Sequence, residues 1–226
     1  MSLKEQTYIS NDVIEGHSLW TVTTNLKGNL SDSWITKSWE WWWKDVIQKW
    51  CPNRSRVVQA GGWQGLFPVL LSDHFDQVIT FEPEPTNFFC LVNNCQSENI
   101  IKMQAALGAS CGWAVLDKTE NSAQCRISQD QFPPYCIDII KQYSVPTISV
   151  DSLKLSDLGL LFLDIENYEL FALQGAIQTL DKTSATVIVE VSFLDEINSK
   201  VDELLLSLEY KQVENFGSDL VYARVC

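Results

Sequence analysis

From residue 56 onward the chain alternates short apolar, β-rich runs with segments of helical periodicity, and this alternation restricts the fold more than any other feature. RVVQA (56–60), QVITFE (77–82), IIKMQAAL (100–107), LLFLDI (160–165) and ATVIVEV (185–191) read as strands. Between them 65–73 reads as a helix, and 84–96 places Phe88, Leu91, Val92 and Cys95 on one helical face. Residues 168–180 do the same with Leu170, Leu173, Ile177 and Leu180, and a last helix carries Ile197, Val201, Leu204, Leu205 and Leu208. Strands joined through helices need crossovers, and right-handed crossovers make them parallel. LLFLDI is apolar without interruption until its end, as befits a strand covered on both faces. The pattern predicts an α/β fold with a doubly wound, mostly parallel sheet. The tail departs from it: YKQVENF (210–216), the Gly217-Ser218-Asp219 turn and LVYARV (220–225) predict an antiparallel hairpin at the end of the sheet.

A chain of 226 residues suits one such core, placed over 53–226, with an insert at about 108–150 where periodicity weakens. Within the insert WAVLDK and QCRIS read as a small hairpin and QFPPYC as a proline-broken loop. Inserts at the end of a sheet often shape a substrate pocket. Residues 1–52 form an N-terminal extension, polar and irregular until WEWWWKDVIQKW (39–50), which holds five tryptophans in twelve residues. Trp39, Trp42, Trp43, Val46, Ile47 and Trp50 share a helical face that could cap the core, act as a lid over a substrate, or form the contact of a homodimer.

The net charge of −13 opposes a nonspecific grip on phosphates, so neither nucleic acid nor an anionic membrane is expected as a partner. Seven cysteines, an odd number with no C-x-x-C pair, suit reduced thiols and a cytoplasmic location. The first residues lack the apolar core of a signal peptide, and no later run approaches the ~20 apolar residues of a membrane span.

The first strand ends in VVQAGGWQG (57–65). In open parallel sheets ligands bind beyond the carboxyl ends of the strands. Gly61, Gly62 and Gly65 lie there and allow close backbone approach, and the following helix offers unpaired N–H groups. Glu82 ends the second strand, where a carboxylate can accept both hydroxyl hydrogens of a ribose. The two features together predict an adenosine-containing ligand. From Ala60 the loop is close to the G-x-G-x-x-G fingerprint of NAD enzymes; from Gln59 it fits the looser loop of S-adenosylmethionine enzymes. A glycine turn of purely structural value is the third reading.

Beyond the loop the chain carries, in order, ITFEPEPTNFFCLVNN (79–94), MQAALG (103–108), VPTISVDSL (145–153), LLFLDIENYELFALQGA (160–176) and VIVEV (187–191). This series resembles the FkbM family of S-adenosylmethionine-dependent methyltransferases from the glycine loop through the fifth strand. The resemblance implies the class I methyltransferase fold, a Rossmann-like, seven-stranded sheet whose last strand is inserted antiparallel. It implies S-adenosylmethionine as cofactor and a sugar or hydroxylated small molecule as acceptor of the methyl group on oxygen. By similarity Gly61 and Gly65 approach the methionine part of the cofactor, Glu82 holds the ribose, and Gln104 and Ala105 lie at the adenine edge. Where the family has an acid, asparagine, lysine and glycine, this chain has Gln59, Trp63, Phe162 and Asn167. Gln59 can still hydrogen-bond the cofactor's amino group, and Trp63 either packs on the sulfonium or fills the pocket.

Asp164, Glu166 and Glu169 match the family's acidic block. Asp164, at the end of a buried strand, is the first candidate to orient or deprotonate the acceptor, with Glu166 beside it. Capping the helix near 168 is the alternative. Glu190 ends the neighbouring strand and could lie beside Asp164 as a hydrogen-bonded acid; magnesium between them is a lesser reading, and no metal is expected. His74 reads as a surface residue, and His17 as an N-terminal residue within reach of the site. The competing functions are an NAD-dependent oxidoreductase and a non-catalytic binding module that kept the fold.

Overall fold

The computed structural model describes residues 7–14, 17–23, 42–129, 139–191 and 195–225. Strands β1 (Thr7–Ile14) and β2 (His17–Thr23) form an antiparallel hairpin, followed by helix α1 (Trp42–Trp50). The α/β alternation then runs β3 (Arg56–Ala60), α2 (Leu66–Ser72), β4 (Gln77–Phe81), α3 (Pro85–Asn94) and β5 (Ile100–Met103). An insert follows with β6 (Ala106–Leu107), β7 (Gly112–Thr119), β8 (Arg126–Ile127) and β9 (Ile139–Ile148). The chain resumes with β10 (Leu158–Leu163), α4 (Glu169–Gln174), α5 (Ile177–Thr183), β11 (Thr186–Glu190) and α6 (Asp195–Ser207). It ends in β12 (Lys211–Phe216) and β13 (Asp219–Ala223).

The main sheet has seven strands in the order β12-β13-β11-β10-β3-β4-β5. The five central and flanking strands β11, β10, β3, β4 and β5 are parallel, and β13 enters antiparallel between β11 and β12. Alternation along each strand divides the core into two layers. Val58, Leu161, Leu163 and Val187 face α4, α5 and α6, whereas Val57, Leu160, Phe162 and Ile188 face the side covered by α1, α2 and α3. Both faces are buried, which accounts for the unbroken apolar run in β10.

The tryptophan helix belongs to the second layer. Trp43, Val46 and Ile47 are buried with Phe67, Leu71 and Phe75, while Trp42 stacks on Phe216 and the Trp50 indole donates to Glu214. The helix caps the core, and none of its residues reaches the cavity described below. Trp39 and Trp41 lie outside the described residues. His74 packs edge-on against Trp43 and is half-buried rather than freely exposed.

Three sequence readings need correction. The extended run 100–107 splits at Gln104-Ala105, because Ala106–Leu107 leaves the main sheet to pair with β9. The helix over 168–180 breaks into two at Gly175, where a β-carbon would sit 2.1 Å from the Gly108 carbonyl oxygen; the insert packs too closely for a side chain there. The insert is more than a hairpin: β7 pairs with β8 as expected, but β9 completes a four-stranded sheet in the order β6-β9-β7-β8. QFPPYC lies outside the described residues. Among the described residues no helix is long and apolar enough to cross a membrane, and Cys51, Cys90, Cys95, Cys111 and Cys125 are free thiols.

Candidate functional site

Register decides which side chains meet. Ala60 lies opposite Phe81 on one side and opposite Leu163 on the other, and Leu163 lies opposite Val189. The next residue along each strand is therefore Glu82, Gly61, Asp164 and Glu190, in a row along the carboxyl rim. Glu190 lies opposite Asp219 at the start of the antiparallel β13, which adds a further acid to the row. Hydrogen bonds fix the rim: Gly61 and Gly62 N–H both donate to the Phe81 carbonyl at 3.2 and 2.9 Å, and Asp164 N–H donates to the Ala60 carbonyl at 3.1 Å.

Above the rim lies a cavity of about 300 Å³. Gly61, Gly62, Trp63, Glu82 and Ala105 line one part of it; Asp164, Glu166, Tyr168 and Glu190 line another; the insert closes it with Ser122 and Arg126. Glu82 is 5% exposed, and its two carboxylate oxygens accept the Trp63 N–H at 2.8 Å and the Glu84 N–H at 2.7 Å. Burial pushes its carboxyl up to about 8, against the pull of those N–H groups. Trp63 has φ +43° and its indole donates to Ser122 Oγ at 3.3 Å, so it joins the glycine loop to the insert as a wall of the cavity and does not fill it.

Several expected residues have other work. Gln59 is fully buried: it accepts the Thr80 hydroxyl at 2.6 Å, and its amide donates to the Gly61 and Ala60 carbonyls at 2.9 and 3.2 Å. It braces the loop from beneath and is absent from the cavity wall. A carboxylate there would face those two carbonyl oxygens with nothing to donate, which explains why an amide suits this loop. Gly65 has φ +98° and caps α2 with its Cβ position against Cys95 Sγ, away from the cavity. Gln104 is exposed and does not line the cavity, whereas its neighbour Ala105 does.

The acidic end is strongly perturbed. Asp164 and Glu190 lie side by side on neighbouring strand ends, and burial raises both carboxyls, with the charge of Asp164 raising Glu190 further. Two neighbouring buried acids of this kind resist ionising together, which favours a proton on the pair. Burial and Asp164 push Glu166 up to about 7, offset in part by Arg126. Glu169, pushed by burial up to about 8, accepts the Ile165 N–H at 3.0 Å and so serves the start of α4. Among the described residues no group of three or more His, Cys, Asp or Glu side chains is placed to hold a metal.

Three contributors escape sequence reasoning. Lys118 of β7 forms an ion pair with the buried Glu84 at 2.8 Å, while Glu84 also caps α3 through the Asn87 N–H at 2.7 Å; together they pin the insert over the site. The Glu-Pro-Thr-Asn stretch signals the cap, but nothing signals the lysine. Asn87 lines the cavity, donates to the Ser122 carbonyl at 2.8 Å and keeps a buried Oδ1 without a partner. Arg126 reaches the site from across the insert.

A family model described as the methyltransferase FkbM domain matches residues 63–217. The chain belongs to the FkbM methyltransferase family. Among solved structures this FkbM chain is similar to the methyltransferase FkbM of Methylobacillus flagellatus KT, with a TM-score of 0.54 and 14% identity over 75% of this chain and 43% of that one. It spans less than half of that relative's length. It is also similar to precorrin 8w decarboxylase of Methanobacterium thermoautotrophicum, with a TM-score of 0.52 and 12% identity over 84% of this chain and 92% of that one. At such identities both likenesses show the fold alone. No curated protein matches the chain by sequence.

Proposed function

We propose that this FkbM domain is an S-adenosylmethionine-dependent methyltransferase acting on a hydroxyl of a sugar or other small molecule. The observation that carries the reading is Glu82, a buried acid held by two backbone N–H groups on the cavity wall, one strand away from Gly61 and its close backbone approach. The residues fit an adenosine ligand. Each Glu82 oxygen keeps a lone pair for a ribose hydroxyl, and the unpartnered Asn87 Oδ1 wants a hydrogen that such a ligand offers. Gly61 and Gly62 expose only backbone to the cavity, because a β-carbon on either would collide with the Asp164 carbonyl or with Leu91 and Thr80.

When bound, S-adenosylmethionine supplies a methyl group activated by its sulfonium. The chain has to orient the acceptor oxygen and receive its proton. The Asp164 and Glu190 pair suits both tasks: with one proton between them, one carboxyl group donates to the other and the remaining charge accepts the hydroxyl proton at an Asp164 oxygen. A positioned base of this kind contributes about 10²–10⁴-fold in rate. The insert turn at Ser122 and the Trp63 indole cover the cavity and limit water.

Calorimetry with S-adenosylhomocysteine and with NADH tests the reading. Binding of the first at one site per chain, with no heat from the second, is the expected result. Heat from NADH alone would make the domain an oxidoreductase, and heat from neither would leave a non-catalytic module.

A further inference from the structure

Two side chains of opposite charge line the cavity without pairing. Arg126 stands on β8 of the insert, Glu166 on the loop after β10, and both are half-buried. Glu166 feels the charge of Arg126, yet no ion pair joins them, and neither has a hydrogen bond to any other described side chain. An arginine with unused N–H groups and a carboxylate with unused lone pairs, both partly withdrawn from water, are each unfavourable alone. Direct contact between them would relieve both, but both instead line the cavity, where one group carrying both charges would satisfy them together. The backbone holds Glu166 there at a cost: Glu166 and Asn167 have φ of +54° and +74°, two successive residues in the left-handed region. Such conformations persist where the surroundings impose them, often at ligand sites.

We propose that Glu166 and Arg126 form a cradle for an α-amino acid head group, with the ammonium on Glu166 and the carboxylate on Arg126, and that the head group is the methionyl end of the cofactor. The proposal rests on the reading of the cavity as a cofactor site. Its geometry follows from the rim. Glu82 and Asp164 are separated by two strand spacings, about 10 Å, and Glu166 lies just beyond Asp164. With the ribose at Glu82 and the chain running past Gly61, a homocysteinyl tail ends beside Glu166 and beneath Arg126. The acids Asp164 and Glu190 alone would hold an ammonium but would repel the carboxylate next to it, and Arg126 is the cavity-lining cation that offsets this. Arginine presents a fork that matches a carboxylate, which a point charge does not.

Three ligands separate the parts of the claim by calorimetry on the full chain. S-adenosylhomocysteine has the whole head group, its decarboxylated analogue keeps only the ammonium, and methylthioadenosine has neither. Arg126→Gln is expected to weaken S-adenosylhomocysteine by about tenfold or more while leaving the other two within about threefold. Glu166→Gln is expected to weaken S-adenosylhomocysteine and the decarboxylated analogue alike and to spare methylthioadenosine, which also reports that both variants are folded. Equal loss of all three ligands in Arg126→Gln, or no loss of any, overturns the cradle while the cofactor reading stands. A wild-type protein that binds none of the three overturns both.

Discussion

A β-carbon on Gly61 would sit 1.8 Å from the carbonyl oxygen of Asp164, so the glycine loop and the acidic strand end touch backbone to backbone. This contact sets the distance between the loop side and the acid side of the cavity. Gly61→Ala must both strain a φ of +84° and push β3 and β10 apart. Gly217→Ala is the control, since it has nearly the same φ, +83°, with open space around it. The control should lose about 1–2 kcal/mol, the usual cost of a left-handed alanine. Gly61→Ala should lose at least twice that and its ligand binding as well, read as Tm and calorimetry. Equal losses at the two sites would mean that the rim contact is not tight.

The buried carboxyls make stability depend on pH in an uncommon direction. Glu82, Glu169 and Glu166 are raised from 4.5 to about 8, 8 and 7, and Glu190 is raised as well. Between the unfolded and folded values the folded chain binds more protons at these groups, so their contribution to stability is fully present below about pH 4.5 and is lost as pH rises through the raised values. Thermal unfolding in high salt, which screens the net negative charge, should show Tm falling by at least about 5 °C from about pH 5 to about pH 8.5. Glu190→Gln should flatten that slope and raise Tm at the alkaline end. A Tm that rises with pH would show that these acids ionise freely in the folded protein.

Lys118 is the partner that makes the buried Glu84 tolerable, with side-chain exposures of 12% and 1%. Removing one member of a buried pair leaves an uncompensated charge, at about 3–5 kcal/mol. Lys118→Met should therefore lower Tm by about 6 °C or more, and adding Glu84→Gln should recover much of the loss. A single variant as stable as wild type would mean that the insert is held by other contacts.

Asn94 ties three segments together. Its amide accepts the Thr21 N–H at 2.7 Å and donates to the Thr21 carbonyl at 2.9 Å and to the Gln64 carbonyl at 2.6 Å. The N-terminal hairpin is docked on α3 through this side chain, next to the glycine loop. Asn94→Ala should speed limited proteolysis within residues 1–50 several-fold, while cleavage after residue 56 changes little. Unchanged cleavage would place the docking energy in other residues.

The sheet and its rim were legible because both depend on local pattern: apolar runs of strand length, helical spacing between them, and an acid or glycine where each run stops. The roles of single side chains were less so. Gln59 shares a face of β3 with Val57, and its neighbour there is Thr80, so strand alternation turns it inward to brace the loop; position in the loop motif alone suggests a ligand contact. The insert's β9 has exposed residues along half of its length and a proline, which blurs the alternation that betrays a strand. Arg126 and Lys118 meet the site only through tertiary packing, which leaves no periodic trace. The hairpin β1–β2 did leave one, two β-rich runs around Glu15-Gly16, inside a segment that otherwise reads as polar and irregular.

Glu82 is the proposed receiver of the ligand's sugar, and a crystal grown with S-adenosylhomocysteine tests this most directly. Ligand density with both ribose hydroxyls within hydrogen-bond distance of the Glu82 carboxylate is the predicted result. Density that leaves the Glu82 carboxylate bonded to Trp63 and Glu84 alone, with the ribose elsewhere, would contradict it.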